Sequence, residues 1–212
     1  MDQSTAEMVL DLLAEEYPQA KCGLDHQDVF QLLISTVLSA QTTDKRVNMV
    51  TPALYRVYPD AEALAGADPE TVSTYIRSIG LYRNKSKNIV KLAGELCSRF
   101  GGEVPGDYDS LVSLPGVGRK TANVVLADGF GEQHIAVDTH VFRVANRIGL
   151  AASENVLKTE KQLMEILPEP RWTHAHHLII SHGRNCCSAK KPDCGGCCVA
   201  DLCENKPGPD RG

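Results

Sequence analysis

Leu114-Pro115-Gly116-Val117-Gly118-Arg119-Lys120-Thr121-Ala122 is the stretch on which the reading of the fold turns. It leaves a short helix, Asp107 to Val112, and enters a second, Gly118 to Ala127, whose apolar residues are Val124, Val125 and Leu126. A two-glycine turn permits positive φ and close backbone approach, and it aims the free N–H groups of the second helix outward. An anion such as a phosphate fits there. Gly118-Arg119-Lys120-Thr121 invites comparison with a nucleotide-binding phosphate loop, but Arg119 separates glycine from lysine and no strand precedes the turn. Lys120, in the first turn, opposes the helix macrodipole. A solvated lysine is the simple reading; the functional one is that the helix end and partial burial disfavour the ammonium and leave more free amine to attack an electrophilic carbon.

Outward from the hairpin, eleven prolines with scattered Gly, Asp and Ser divide the chain into segments of helical apolar spacing, with no sustained two-residue alternation. The pattern predicts an all-α protein. Ser4 and Glu7 form a capping box for a first helix, and Asp28 caps Val29 to Leu38, too long an apolar run for a typical strand. Further helices are expected from about Asp44 to Tyr58, from Asp68-Pro69 to Gly80, and from about Asn84 to Phe100 before Gly101-Gly102. Asp138 caps a helix through Val141, Val144 and Ile148, followed by Ser153 to Leu167 and Arg171 to His182. Taken alone, Asp138 is a helix cap; near an amine it could also move protons and steady positive charge.

A content of 42% hydrophobic and 23% charged residues excludes a disordered chain. With 22 Lys+Arg against 27 Asp+Glu the net charge is −5, which argues against a partner held by bulk electrostatics. The acidity is uneven. Residues 1 to 28 carry many acids and only Lys21, whereas Arg83, Lys85, Lys87 and Lys91 form a basic stripe with no acid between Leu81 and Lys91. Neither a signal peptide nor an apolar run long enough to span a bilayer is present, so the expected setting is cytoplasmic, and thiols there stay reduced.

Of eight cysteines, Cys22 and Cys97 stand apart as expected core thiols. Cys186, Cys187, Cys194, Cys197, Cys198 and Cys203 crowd one short segment, and in a reduced compartment such crowding means metal. Only Cys194-x₂-Cys197 makes a tight pair, with long arms to Cys187 and Cys203, a spacing that wraps an iron–sulfur cube more naturally than one zinc ion. Cys186 could replace Cys187, and Cys198 could replace Cys197; spacing leaves these choices open. Lys190 and Lys191, before Pro192, put two cations on the intervening loop, where a phosphate contact is expected. The histidines from His174 to His182 read as surface or core residues.

The ordered set of this hairpin, Val137-Asp138-Thr139-His140, and Cys187-x₆-Cys194-x₂-Cys197-x₅-Cys203 closely resembles the endonuclease III family, the iron–sulfur branch of the helix-hairpin-helix DNA glycosylases. The similarity runs from about Leu32 to Cys203 and includes Leu38-Ser39-Ala40-Gln41-Thr42-Thr43-Asp44 and Ile79-Gly80-Leu81-Tyr82. It implies a bilobed all-α fold: a six-helix barrel domain of residues 22–132, and a cluster domain of residues 1–21 and 133–212, with the active site in a cleft between them. It implies that Lys120 is the nucleophile and Asp138 the catalytic aspartate. It also implies a [4Fe-4S] cluster on Cys187, Cys194, Cys197 and Cys203, leaving Cys186 and Cys198 as extras.

The implied partner is double-stranded DNA carrying a damaged base or an abasic site. Contacts would come from Gly116, Gly118, Arg119, His140, Lys190 and Lys191. Gln41 would fill the gap left by an extruded base, and Leu81 would be the wedge beside it. The implied activity is base excision of oxidised pyrimidines with strand nicking, by a monomer in a prokaryotic, nucleoid-associated setting. An adenine-mismatch glycosylase is disfavoured by Lys120 and by the short stretch after Cys203. A non-catalytic iron–sulfur DNA-binding module is disfavoured by a cation placed at a helix N-terminus.

Overall fold

The computed structural model describes residues 1–205; the last seven residues of the expected cluster domain lie outside them. Every regular element among the described residues is helical, and none is long and apolar enough to cross a membrane. The chain divides into two compact units, Cys22–Glu132 and Met1–Lys21 with Gln133 onward.

The first unit holds α2 (Val29–Leu38), α3 (Asp44–Val57), α4 (Ala61–Ala65), α5 (Pro69–Tyr75), α6 (Tyr82–Phe100), α7 (Tyr108–Val112) and α8 (Arg119–Val124). Local capping explains most starts. Asp28, Asp60, Asp68 and Asp107 each accept the N–H three residues on, at 2.8 to 2.9 Å, supplying one of the bonds a helix N-terminus lacks. Leu33, Ile34, Leu54, Ile76, Leu92 and Leu96 are fully buried at the centre, with α4 and α5 packed on α6. Cys22 and Cys97 are half-buried at the edge of this core rather than inside it.

Three boundaries differ from expectation here. α5 stops at Tyr75, not Gly80, because the chain must turn to sink Ile76 and Ile79 into the core. α6 starts two residues early, at Tyr82, behind a left-handed Leu81 that offers no capping side chain. Beyond Val124 the helix widens into a π-turn, Val125–Gly129. There Gly129 lies so near α2 that a Cβ would sit 3.0 Å from Val29 Cγ1, so the backbone itself is the packing surface.

The second unit holds α1 (Gln3–Glu16), α9 (Thr139–Ile148), α10 (Val156–Ile166) and α11 (Trp172–Asn185). Val9, Leu10, Leu13, Val144, Leu163 and Leu178 build its own apolar centre. The expected Ser4–Glu7 capping box does not form. Asp2, an anionic acceptor two residues earlier, takes the Thr5 N–H at 2.8 Å, and Gln3 occupies Glu7. α10 likewise starts behind Asn155 rather than at Ser153, and α11 runs on to Asn185, delivering the chain directly into the cysteine segment.

Candidate functional site

In the hairpin, Val117 is buried and its N–H bonds Leu114 O at 3.2 Å, which fixes the turn from inside. Only one of the two glycines uses positive φ: Gly116 has φ 79°, while Gly118 is extended at φ −99°. A Cβ at Gly118 would meet nothing within 4 Å, so packing within the described residues does not require a glycine there. Gly118 is also the N-cap of α8, and no side chain caps that end. Arg119 lies over the Tyr108 ring, 5.5 Å from its centroid, and donates to the Tyr108 hydroxyl at 3.2 Å. Lys120 is exposed and its amine makes no hydrogen bond or ion pair with the described residues. The partial burial expected for it is absent.

Gln41 and Leu81, both exposed, stand on turns of the same unit with φ 55° and 58°. Leu81, a large apolar side chain, keeps 61% of its surface in solvent. Between these turns the structure corrects the basic stripe. Arg83, Lys87 and Lys91 face water, but Lys85 is only 6% exposed and turns inward. Its ammonium donates to Leu38 O at 2.9 Å, Ala40 O at 2.7 Å and Thr42 Oγ1 at 2.8 Å. Burial lowers its pKa from the ordinary lysine value.

In the second unit, Asp138 is the N-cap of α9, and its Oδ1 accepts from His140 N and Val141 N, each at 2.8 Å. Both cap bonds fall on one oxygen, leaving Oδ2 with its acceptor capacity unused by the described residues. His140 Nδ1 lies 3.3 Å from Arg143 Nη2. The helix capped by Asp138 also carries, at Arg143 in its middle and Arg147 in its last turn, two arginines that the sequence analysis does not single out. Arg143 donates to Gly183 O at 2.9 Å and Cys187 O at 3.0 Å; Arg147 donates to Ser188 O at 2.7 Å and Ala189 O at 2.9 Å. Together they hold the start of the cysteine loop. The only sequence signal was a pair of arginines four apart, on one helix face.

Cys187, Cys194, Cys197 and Cys203 line one cavity of about 220 Å³, together with Cys186, His182 and the apolar Ile148, Pro192 and Val199. Cys198 is not in its wall, which separates it from Cys197; Cys186 and Cys187 both are. His182, read from sequence as an ordinary helix residue, is buried with Nε2 3.6 Å from Cys197 Sγ, while Tyr17 Oη meets its Nδ1 at 3.2 Å. Burial drops the His182 pKa to about 4. His182, Cys186 and Cys197 bring their ligand atoms within 4.8 Å of one another, a Cys/His group that could hold a metal. Burial, then the neighbouring Cys197, push the Cys186 thiol up to about 12. Soft sulfur donors crowded around an apolar-backed space are a donor set for iron–sulfur or zinc rather than for hard cations. Lys190 and Lys191 are exposed on the same loop, in a turn closed by Ser188 Oγ donating to Lys191 O at 2.6 Å.

Residues 34–169 match the HhH-GPD superfamily of base excision DNA repair proteins, and the chain belongs to that superfamily. Within it, the chain is 48% identical to endonuclease III of Synechocystis sp., over 92% of its own length and 90% of the relative's. Endonuclease III of Escherichia coli K12 is 46% identical, over 93% and 94%. A solved trapped endonuclease III–DNA covalent intermediate, an estranged-adenine complex, matches with a TM-score of 0.92 at 45% identity, covering 97% of each chain. Family and relatives put the chain among the DNA glycosylase and abasic-site lyase enzymes of base excision repair.

Proposed function

We propose that the chain excises oxidised pyrimidines from duplex DNA and nicks the strand, with Lys120 as nucleophile and Asp138 as proton carrier. The observation that carries this reading is the Lys120 amine itself: exposed, without a hydrogen-bond or ion-pair partner among the described residues, one residue into a helix whose N-terminus no side chain caps. A lysine so placed gains nothing for the fold from its charge and is free to react.

A base inside a duplex is out of reach, so the nucleotide is first turned out of the stack. Gln41 enters the vacated space and Leu81 wedges beside it, offsetting an unstacking cost of a few kcal/mol. The Lys120 amine then attacks C1′, the C1′–N bond breaks, and the base leaves with its electron pair. Proton loss from the attacking nitrogen and opening of the sugar ring, in which the C1′–O4′ bond breaks and O4′ takes up a proton, give a Schiff base; removal of a C2′ proton then expels the 3′ phosphate oxygen. Asp138 stabilises the oxocarbenium-like charge and carries the protons, its Oδ1 kept in place by the two cap bonds.

Cys187, Cys194, Cys197 and Cys203 would hold a [4Fe-4S] cluster, for which their thiol donors and shared cavity are suited. When bound, it supplies cross-links across a segment that has no helix of its own. Lys190 and Lys191, with the uncapped end of α8 and Arg119, meet phosphates. His140 adds a further contact. The enzyme acts as a monomer, in the cytoplasm, on DNA of the nucleoid.

Borohydride reduction of the protein on duplexes containing thymine glycol or an abasic site tests the chemistry. A covalent adduct is expected with the native chain and none with Lys120→Ala. An adduct that survives this substitution would remove Lys120 from its role, and excision opposite an adenine mismatch instead would redirect the substrate.

A further inference from the structure

We propose that Lys85 is a positioning residue for strand insertion: from inside the protein it ties the turn presenting Gln41 to the helix that Leu81 leads. The proposal rests on the reading that Gln41 and Leu81 enter the duplex.

One residue bonds both elements. The Lys85 backbone N–H donates to Leu81 O at 2.9 Å, closing the first turn of α6 behind the wedge. Its side chain donates to Ala40 O and Thr42 Oγ1, the neighbours of Gln41 on either side, and to Leu38 O at the end of α2. These acceptors use all three ammonium protons, so the group is fully satisfied without a carboxylate. No buried cation is required to close a helix turn or fill a core; an apolar side chain of similar length would do both. What the ammonium adds is a three-point hold on a backbone that would otherwise relax. Gln41 at φ 55° sits in a left-handed conformation unfavourable for a side-chain-bearing residue, and charge-assisted bonds on both flanks oppose its release. Lys85, placed by charge alone on a DNA-facing stripe, acts from the opposite side of that surface.

The test uses the full-length, cluster-bearing protein on an abasic site in duplex and in single-stranded DNA, since the single strand needs no inserted side chain. Lys85→Met should lose about 10- to 100-fold in kcat/KM on the duplex, as expected for displaced positioning groups, while cleaving the single strand at about the native rate. A 2-aminopurine opposite the abasic site should lose its fluorescence rise on binding. In a Gln41→Ala background, Lys85→Met should add no more than about twofold, because groups acting through one another are not additive.

Thr42→Val, which removes one acceptor and keeps the lysine, should show the same duplex-only loss in milder form and covers the case in which Lys85→Met folds poorly. Equal losses on both substrates, or additive losses in the double variant, would overturn the assignment. Should Gln41→Ala and Leu81→Ala themselves leave duplex cleavage intact, the insertion reading falls and Lys85 with it. Losses in those two with none in Lys85→Met would sink Lys85 alone.

Discussion

Gln41 and Leu81 share a left-handed backbone, φ 55° and 58°, that no other non-glycine residue among those described adopts. Both are exposed, so neither conformation is forced by burial of the side chain. Glycine relieves such strain, at some cost in unfolded-state entropy. Leu81→Gly and Gln41→Gly are therefore expected to unfold at the same urea midpoint as the native chain or later, by up to about 1 kcal/mol. Cleavage of lesion-bearing duplexes should fall in both. A loss of stability in either variant would show that the side chain, not an approaching strand, accounts for the conformation.

The proton-carrying role proposed for Asp138 can be separated from its capping of α9. Asparagine caps a helix about as well as aspartate, so Asp138→Asn should leave thermal stability nearly unchanged while base excision drops by about 10²- to 10⁴-fold. Asp138→Ala should lose the same activity and, in addition, about 1 kcal/mol of stability. Parallel melting curves and single-turnover excision rates distinguish the two; full activity in Asp138→Asn would limit the residue to capping.

Arg147 donates to Ser188 O and Ala189 O and reaches within 3.6 Å of Cys187 Sγ. If the proposed cluster is held there, Arg147→Met should keep helical circular dichroism but release iron to a chelator several times faster, the loss of charge-assisted bonds worth roughly 1.5–3 kcal/mol apiece. Visible absorbance during chelator challenge reads this directly. Unchanged release would mean that the loop holds its shape without the arginine.

Burial raises the Cys22 thiol to about 11, with Asp128 as the next contributor. A thiol with a folded pKa above its unfolded one keeps its proton where the unfolded chain loses it. Stability is thus unaffected below about pH 9 and declines as pH rises toward about 11. At pH 8 Cys22 should resist iodoacetamide in the native protein, with labelling rising about tenfold per pH unit above that, since the thiolate is the nucleophile. Peptide mass spectrometry checks it; ready labelling at pH 8 would contradict the burial.

The hairpin, the aspartate caps and the cysteine spacing could all be read from the chain because each depends on residues a few positions apart. Asp28, Asp107 and Asp138 bond N–H groups two or three residues on, and a sequence displays such pairs side by side. Where two local signals competed, the choice was less secure: Ser4 with Glu7 reads as a cap, but Asp2, two residues earlier, takes that position. The early start of α6 carried no signal, because Leu81 is set by its turn rather than by a capping side chain. His182 and the arginines of α9 were passed over for a different reason, since their partners lie far along the chain.

Sequence by itself determined the all-helical class, the family, and the residue types from which the site is drawn. Tertiary structure decided which way those residues face. It turned Lys85 from an apparent surface cation into a buried clamp on carbonyls 45 and 47 residues away in sequence. It set Cys197 apart from Cys198, brought His182 to the cysteines, and left Lys120 bare in solvent. The physical reason is one of range. Caps and turns are local bonds, whereas burial and the pairing of a buried cation with distant carbonyls exist only once the chain has closed on itself.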